Sequence, residues 1–127
     1  MMPVHLKTLR VAIVGAGPSG FFVAHTLLKQ NIPVVVEVFE KLPAPFGLVR
    51  YGVAPDHEKM KTVIKIFEQT AKDERFSYFG HVTVGEDITV DELKEFYHAI
   101  VFCTGAETDR RLGVPGENLK GCYTASQ

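Results

Sequence analysis

Near its start the chain carries a short apolar run, "LRVAIV" from Leu9 to Val14, closed by Gly15. Such a run ending in glycine predicts a buried parallel strand. The next segment, "PSGFFVAHTLLKQN", is patterned as a helix, with Pro18 at or just before its first turn and Asn31 and Pro33 closing it. The β-branched "PVVVEVFE" predicts a second strand that ends at Glu40. Strand, glycine turn, helix and strand together span about 30 residues, the size of one βαβ unit.

From Lys41 to His57 the helical and strand periods vanish, and Pro43, Pro45, Gly47, Gly52 and Pro55 punctuate the run. A loop of this length inside a compact domain is usually functional or disordered. Its apolar content, Phe46, Leu48, Val49, Tyr51 and Val53, argues for an ordered segment covered by protein or ligand. A second helix follows, with Met60, Val63, Ile64, Phe67 and Ala71 spaced along one face. "FSYFGHVTVGED" reads as short strands around Gly80, and "TVDELKEFY" as a short helix capped by Thr89 or Asp91. "HAIVFCTG" predicts a last buried strand, and the polar "AETDRRLGVPGENLKG" a loop. Strands alternating with helices predict an α/β, Rossmann-like, three-layer fold with a mainly parallel sheet.

Composition narrows the function without naming it. The 127 residues amount to about one domain, and 46% hydrophobic with 23% charged residues is ordinary for a globular protein. A formal net charge of −1 provides no basic footprint for nucleic acid or an anionic membrane surface. The longest apolar candidate, "NIPVVVEVF", contains Glu37 and falls short of the roughly 20 residues that span a bilayer. "MMPVHLKTLR" lacks the apolar core of a secretory signal, while its basic, acid-free character leaves a short or trimmed organelle presequence open. Cys103 and Cys122, 19 positions apart, form neither a CxxC pair nor a disulfide framework, so a reducing compartment is expected. His5, His25, His81 and His98 show no metal-ligand spacing.

The chemistry concentrates in Gly15, Gly17 and Gly20, which give G-x-G-x-x-G between a strand and a helix. The first glycine permits a tight turn, the second lets backbone approach a pyrophosphate, and the third lets helix pack on strand. The helix N-terminus adds unpaired N–H groups and a positive dipole end. Glu40 follows Gly20 by 20 residues at the end of the second strand, placed to accept hydrogen bonds from a ribose with free hydroxyls. Glu37 lies an odd number of residues away and points to the opposite face. A carboxylate at Glu40 repels a 2′-phosphate, which disfavours NADP at this position. The motif alone does not choose between NAD and FAD.

Two runs add a resemblance. "VAIVGAGPSGFFVAHTLL" and "EKLPAPFGLVRYGVAPDH" resemble the adrenodoxin reductase family, the FAD-containing ferredoxin–NADP reductases of mitochondria and some bacteria. "VTVGEDITVDEL" and "YHAIVFCTGAETDRRLGVPGE" follow the same pattern, so the resemblance covers nearly the whole chain. It implies FAD as cofactor, with its ADP half on Gly15, Gly17, Pro18, Ser19 and Gly20. Ser19 stands where the family usually has alanine and acts there through its main chain. Glu40 binds the adenosine ribose, with Lys41 beside it. Gly47 and Leu48 come from the Pro-rich loop, and Val84 lies near the adenine. Plain core packing is the other reading of Leu48 and Val84. Thr104 and Gly105 either approach FAD or simply end a strand. His57, closing "PDH", stands near the flavin's redox end in this family; its other readings are a helix-start residue or a loop-fixing hydrogen bond.

Family enzymes are several times longer and carry a second glycine motif for NADPH, which has no counterpart here. The expectation is therefore that residues 1–127 form the N-terminal part of an FAD-binding domain, without the NADP-binding domain and inactive alone. Its implied partners are an iron–sulfur protein of ferredoxin or adrenodoxin type and the remainder of the reductase. Its implied location is mitochondrial, or otherwise cytoplasmic. A non-catalytic or split-protein nucleotide-binding module is the alternative.

Overall fold

The structure is a computed structural model and describes residues 7–47, 58–106 and 108–124. Strand β1, Leu9–Val14, sends Val11 and Ile13 into one core and Ala12 and Val14 into another. Strand β2, Val34–Phe39, does the same, with Val34, Val36 and Val38 on the first side and Phe39 on the second. This two-residue alternation with apolar side chains on both faces is what a covered parallel sheet requires. Strands β3, Phe76–Phe79, and β4, Ala99–Phe102, complete a four-stranded sheet of order β3-β2-β1-β4, in which each neighbouring pair is parallel.

Helices α1, Pro18–Lys29, and α2, Glu58–Ala71, cover one face. Their contact is aromatic: Phe21 stacks on Phe67 at 5.1 Å between ring centroids and meets Phe76 at 5.6 Å. Each such pair adds about 0.5–1.5 kcal/mol to the burial of its area. The short α3, Val90–Phe96, closes the other face by burying Leu93 against Ala12, Val14 and Phe39. Thr89 is its cap. The Thr89 hydroxyl accepts from the Glu92 N–H at 3.1 Å, and the Glu92 carboxylate accepts from the Thr89 N–H at 2.7 Å.

Three expectations are corrected. Ala71 is exposed, and Thr70 takes the buried place beside it. The Thr70 hydroxyl donates to the Ile66 carbonyl at 2.9 Å, so its one proton is committed and the His25 Nδ1–H donates to it at 3.1 Å. A polar residue satisfied in this way costs little to bury. "HVTV" does not form a second strand beyond β3: Val84 makes only an isolated bridge to Ile88. The Thr83 N–H is held by Asp87 and the Gly85 N–H by the Ile88 carbonyl, so these backbone groups close a local turn rather than extend the sheet. Finally, β4 is not buried. It is paired on one side with β1, forms the edge of the described sheet, and leaves Phe102 58% exposed.

Beyond the sheet, Asp73 accepts from the Arg75 backbone and guanidinium, and Arg75 also donates to the Leu28 carbonyl at the end of α1 (2.8 Å). The Arg75 hydrogen bonds hold the Asp73 carboxyl below the usual carboxylate range, and those from Thr89 do the same for Glu92. A carboxyl depressed in the folded state contributes stability above its unfolded value, about 4. That contribution is lost as pH falls through the lower folded value. Melting temperature measured from pH 6 to pH 2.5 should therefore drop below about pH 4. The Asp73→Asn and Glu92→Gln double variant should drop less steeply there, while lying lower at neutral pH.

Candidate nucleotide-binding site

Three segments meet at the carboxyl ends of β1, β2 and β4. Because β1 is followed by β2 on one side and lies against β4 on the other, this is where strand order reverses, the crevice in which open α/β sheets bind ligands.

Two of the three motif glycines are dictated by the protein itself. Gly15 has φ of +108° and donates its N–H to the Phe39 carbonyl at 2.8 Å. A Cβ on Gly15 would lie 2.2 Å from the Cys103 carbonyl oxygen, and one on Gly20 would lie 2.1 Å from the Gly15 carbonyl oxygen. Gly17 is different. It is the N-cap of α1 with φ of −78°, and a Cβ there would meet none of the described residues within 4 Å. Its freedom from contact marks the open side of the loop, where a ligand's backbone-hugging phosphates have room.

The adjoining helix end is open as well. Among the described residues no side chain caps α1, and its first turn carries no acid, in contrast to the closed N-terminus of α3. Pro18 has no N–H, and the Phe21 N–H is taken by the Gly17 carbonyl at 3.1 Å. The N–H groups of Ser19 and Gly20 have no partner within the helix and lie at its positive end. Ser19 is exposed and Gly20 buried, so the serine side chain is not needed to build the turn.

Glu40 sits directly beside this loop. One carboxylate oxygen accepts from the Ala16 N–H at 2.7 Å and the other from the Leu42 N–H at 3.2 Å. Its own backbone is fastened to Phe79 and Val82 (2.9 and 3.0 Å). A carboxylate oxygen has two acceptor directions, so each can still take a ribose hydroxyl. Glu37 is elsewhere engaged: its carboxylate accepts from the Tyr97 hydroxyl and pairs with Arg10 at 3.4 Å, with Arg10 lying over the Tyr97 ring.

The Pro-rich segment folds back onto the glycine loop. The Phe46 N–H donates to the Ala16 carbonyl at 2.7 Å, and a Cβ on Gly47 would lie 3.1 Å from the Gly17 Cα. Lys41 is exposed at the start of this segment. Val84 is half-buried against the core containing Val14 and Phe39. Thr104 and Gly105 are exposed, and the Thr104 N lies 3.2 Å from where a Gly15 Cβ would stand. The structure thus brings together residues 15–20, 40–47 and 103–105, while Val84 packs behind them. Leu48 and His57 lie outside the described residues. Ala16 and Phe46 were not singled out as site residues by the sequence reading; spacing carries no signal for Ala16, whose part is played by its backbone.

The NAD(P)-binding Rossmann-like domain family model matches residues 13–82. The mitochondrial NADPH:adrenodoxin oxidoreductase of Salvelinus fontinalis is 55% identical over 116 residues, covering 91% of this chain and 23% of its own length. NADPH-ferredoxin reductase FprA of Mycobacterium leprae is 50% identical over 130 residues, covering 98% and 28% respectively. The solved structure of Mycobacterium tuberculosis FprA in complex with NADPH superposes with a TM-score of 0.85 at 48% identity, over 94% of this chain and 28% of that one. The chain spans about a quarter of the length of the relatives it matches.

Proposed function

Since the chain belongs to the NAD(P)-binding Rossmann-like domain family, and about half its residues are shared with adrenodoxin- and ferredoxin-type NADPH reductases, we propose that it is the FAD-binding portion of such a reductase. Residues 1–127 are the N-terminal part of the FAD-binding domain in this reading, and the NADP-binding domain belongs to further polypeptide. The carrying observation is an open helix end beside uncrowded Gly17, flanked by the carboxylate of Glu40 at the end of β2. An ADP group fits that chemistry: pyrophosphate on the N–H groups of Ser19 and Gly20, ribose hydroxyls on Glu40. FAD when bound supplies hydride acceptance from NADPH and release of single electrons to a ferredoxin- or adrenodoxin-type iron–sulfur protein. The residues of this chain bind and orient the cofactor; His57 is the one assigned to its redox end.

Apolar exposure supports the reading as a portion. Phe102, Leu112, Val114, Leu119 and Tyr123 are each more than half exposed along β4 and the segment after it. Five large apolar side chains left exposed in this stretch support a surface that other polypeptide covers. The mitochondrial name of the Salvelinus relative supports the same location for this chain.

The purified chain should quench FAD fluorescence saturably and gain thermal stability with added FAD. Supplying the remaining three quarters of a relative as a second polypeptide should restore NADPH-dependent ferredoxin reduction, which the chain alone should not support. Absence of saturable FAD binding overturns the cofactor assignment. Ferredoxin reduction by the chain alone overturns its assignment as a portion.

A further inference from the structure

Resting on the FAD-site reading above, we infer that Phe46 is a positioning residue for the cofactor, acting through the glycine loop rather than by touching the ligand. The observation is a closed circuit through one residue. The Ala16 N–H is held by the Glu40 side chain at 2.7 Å, and the Ala16 carbonyl is held by the Phe46 N–H at 2.7 Å. The seven residues from Glu40 to Phe46 are therefore tied at both ends to the same point of the phosphate loop.

Phe46 adopts φ of +84°, a conformation that costs a bulky side chain energy and persists only when its surroundings impose it. The imposing contact is its ring, 4% exposed, with centroids 5.0 Å from Phe21 and 6.0 Å from Phe67. Phe21 belongs to α1, the helix whose N-terminus faces the crevice, and Phe67 to α2. The ring thus anchors the loop to the same helix that offers its N–H groups to phosphate. The next residue, Gly47, lies against Gly17, and a Cβ on Gly47 would stand 3.1 Å from the Gly17 Cα and press the two loops apart. Phe46 sets the distance between the loops and so the width of the crevice mouth. A residue that served the core alone would have no reason to hold a left-handed backbone and donate to Ala16.

The test uses the full chain and FAD, at a temperature where each variant is fully folded by circular dichroism. Phe46→Leu removes the ring packing while staying apolar, and should weaken FAD binding about tenfold and alter the visible circular dichroism of the bound flavin. Phe46→Met, which refills the volume with an adaptable side chain and favourable sulfur–aromatic contacts, should restore affinity to within about threefold of the parent. Phe46→Gly accepts the positive φ without the anchor and should bind as weakly as Phe46→Leu. Parent-like FAD affinity and flavin spectrum in fully folded Phe46→Leu and Phe46→Gly would overturn the inference while leaving the site reading intact. A parent chain that does not bind FAD removes both.

Discussion

Gly15→Ala should cripple the fold, whereas Gly17→Ala, two residues on, should spare the fold and lose the ligand. At Gly15 the new methyl would sit 2.2 Å from the Cys103 carbonyl oxygen and 2.7 Å from its carbon, and the backbone at φ of +108° is strained for any side chain. Neither obstacle is a flexible side chain that could swing aside. The Cys103 N–H is bound to the Val14 carbonyl at 2.7 Å, so moving Cys103 would unzip β4 from β1. Overpacking and backbone strain together cost about 2–6 kcal/mol, a large share of a domain's total stability. Thermal melts should show a loss of about 10 °C or more. At Gly17 the methyl meets none of the described residues within 4 Å, and the lost preference at an N-cap costs about 1 kcal/mol or less. FAD affinity in Gly17→Ala should nevertheless fall at least about tenfold, or about 1.4 kcal/mol, because the methyl occupies the approach to the helix N-terminus. Equal affinity in the two folded proteins would mean that phosphate does not lie against Gly17.

Removing the carboxylate of Glu40 should damage both loops at once. Glu40→Ala leaves the Ala16 and Leu42 N–H groups without their acceptors. Hydrogen bonds to a charged partner are worth about 1.5–3 kcal/mol each, although water can replace part of the more exposed Leu42 bond. FAD affinity should drop about 10- to 100-fold, corresponding to about 1.4–2.8 kcal/mol. Glu40→Gln is the sharper probe, since its amide offers one acceptor oxygen and turns donors toward the other N–H. Calorimetric titration should find that the parent prefers ADP to its 2′-phosphorylated form, and that Glu40→Gln narrows this preference. An unchanged preference would separate Glu40 from the ribose and leave it a strut between loops.

The core of the fold was legible where its causes are local. The near-continuous apolar runs "LRVAIV" and "VVVEVF" are visible in the sequence because both faces of a parallel sheet are buried, and the glycine spacing marks the turn between strand and helix. The same local logic fails for "HVTV". Its β-branched residues suit a strand, but Asp87 and Gly85 engage the backbone first. At Ala71 helical spacing marks the apolar face correctly for Phe67 and then drifts, and His25, 45 residues away, makes Thr70 the better-satisfied neighbour to bury. For β4 the apolar pattern is right for a strand, but burial depends on what lies beyond the sheet edge.

The sequence by itself determined the βαβ unit, the glycine turn and an acid at the end of β2, because each depends on neighbours within a few residues or on one repeating period. Tertiary structure decided how that acid is used. Glu40 and Ala16 are 24 positions apart, and only the parallel pairing of β1 with β2 brings the end of one strand to the turn after the other. The same pairing lets Phe46 close onto Ala16 and Gly47 onto Gly17, contacts between backbone groups that carry no side-chain signature. Side-chain patterns therefore announced the phosphate loop, while the backbone hydrogen bonds that tie it to the Pro-rich segment required the chain to be folded.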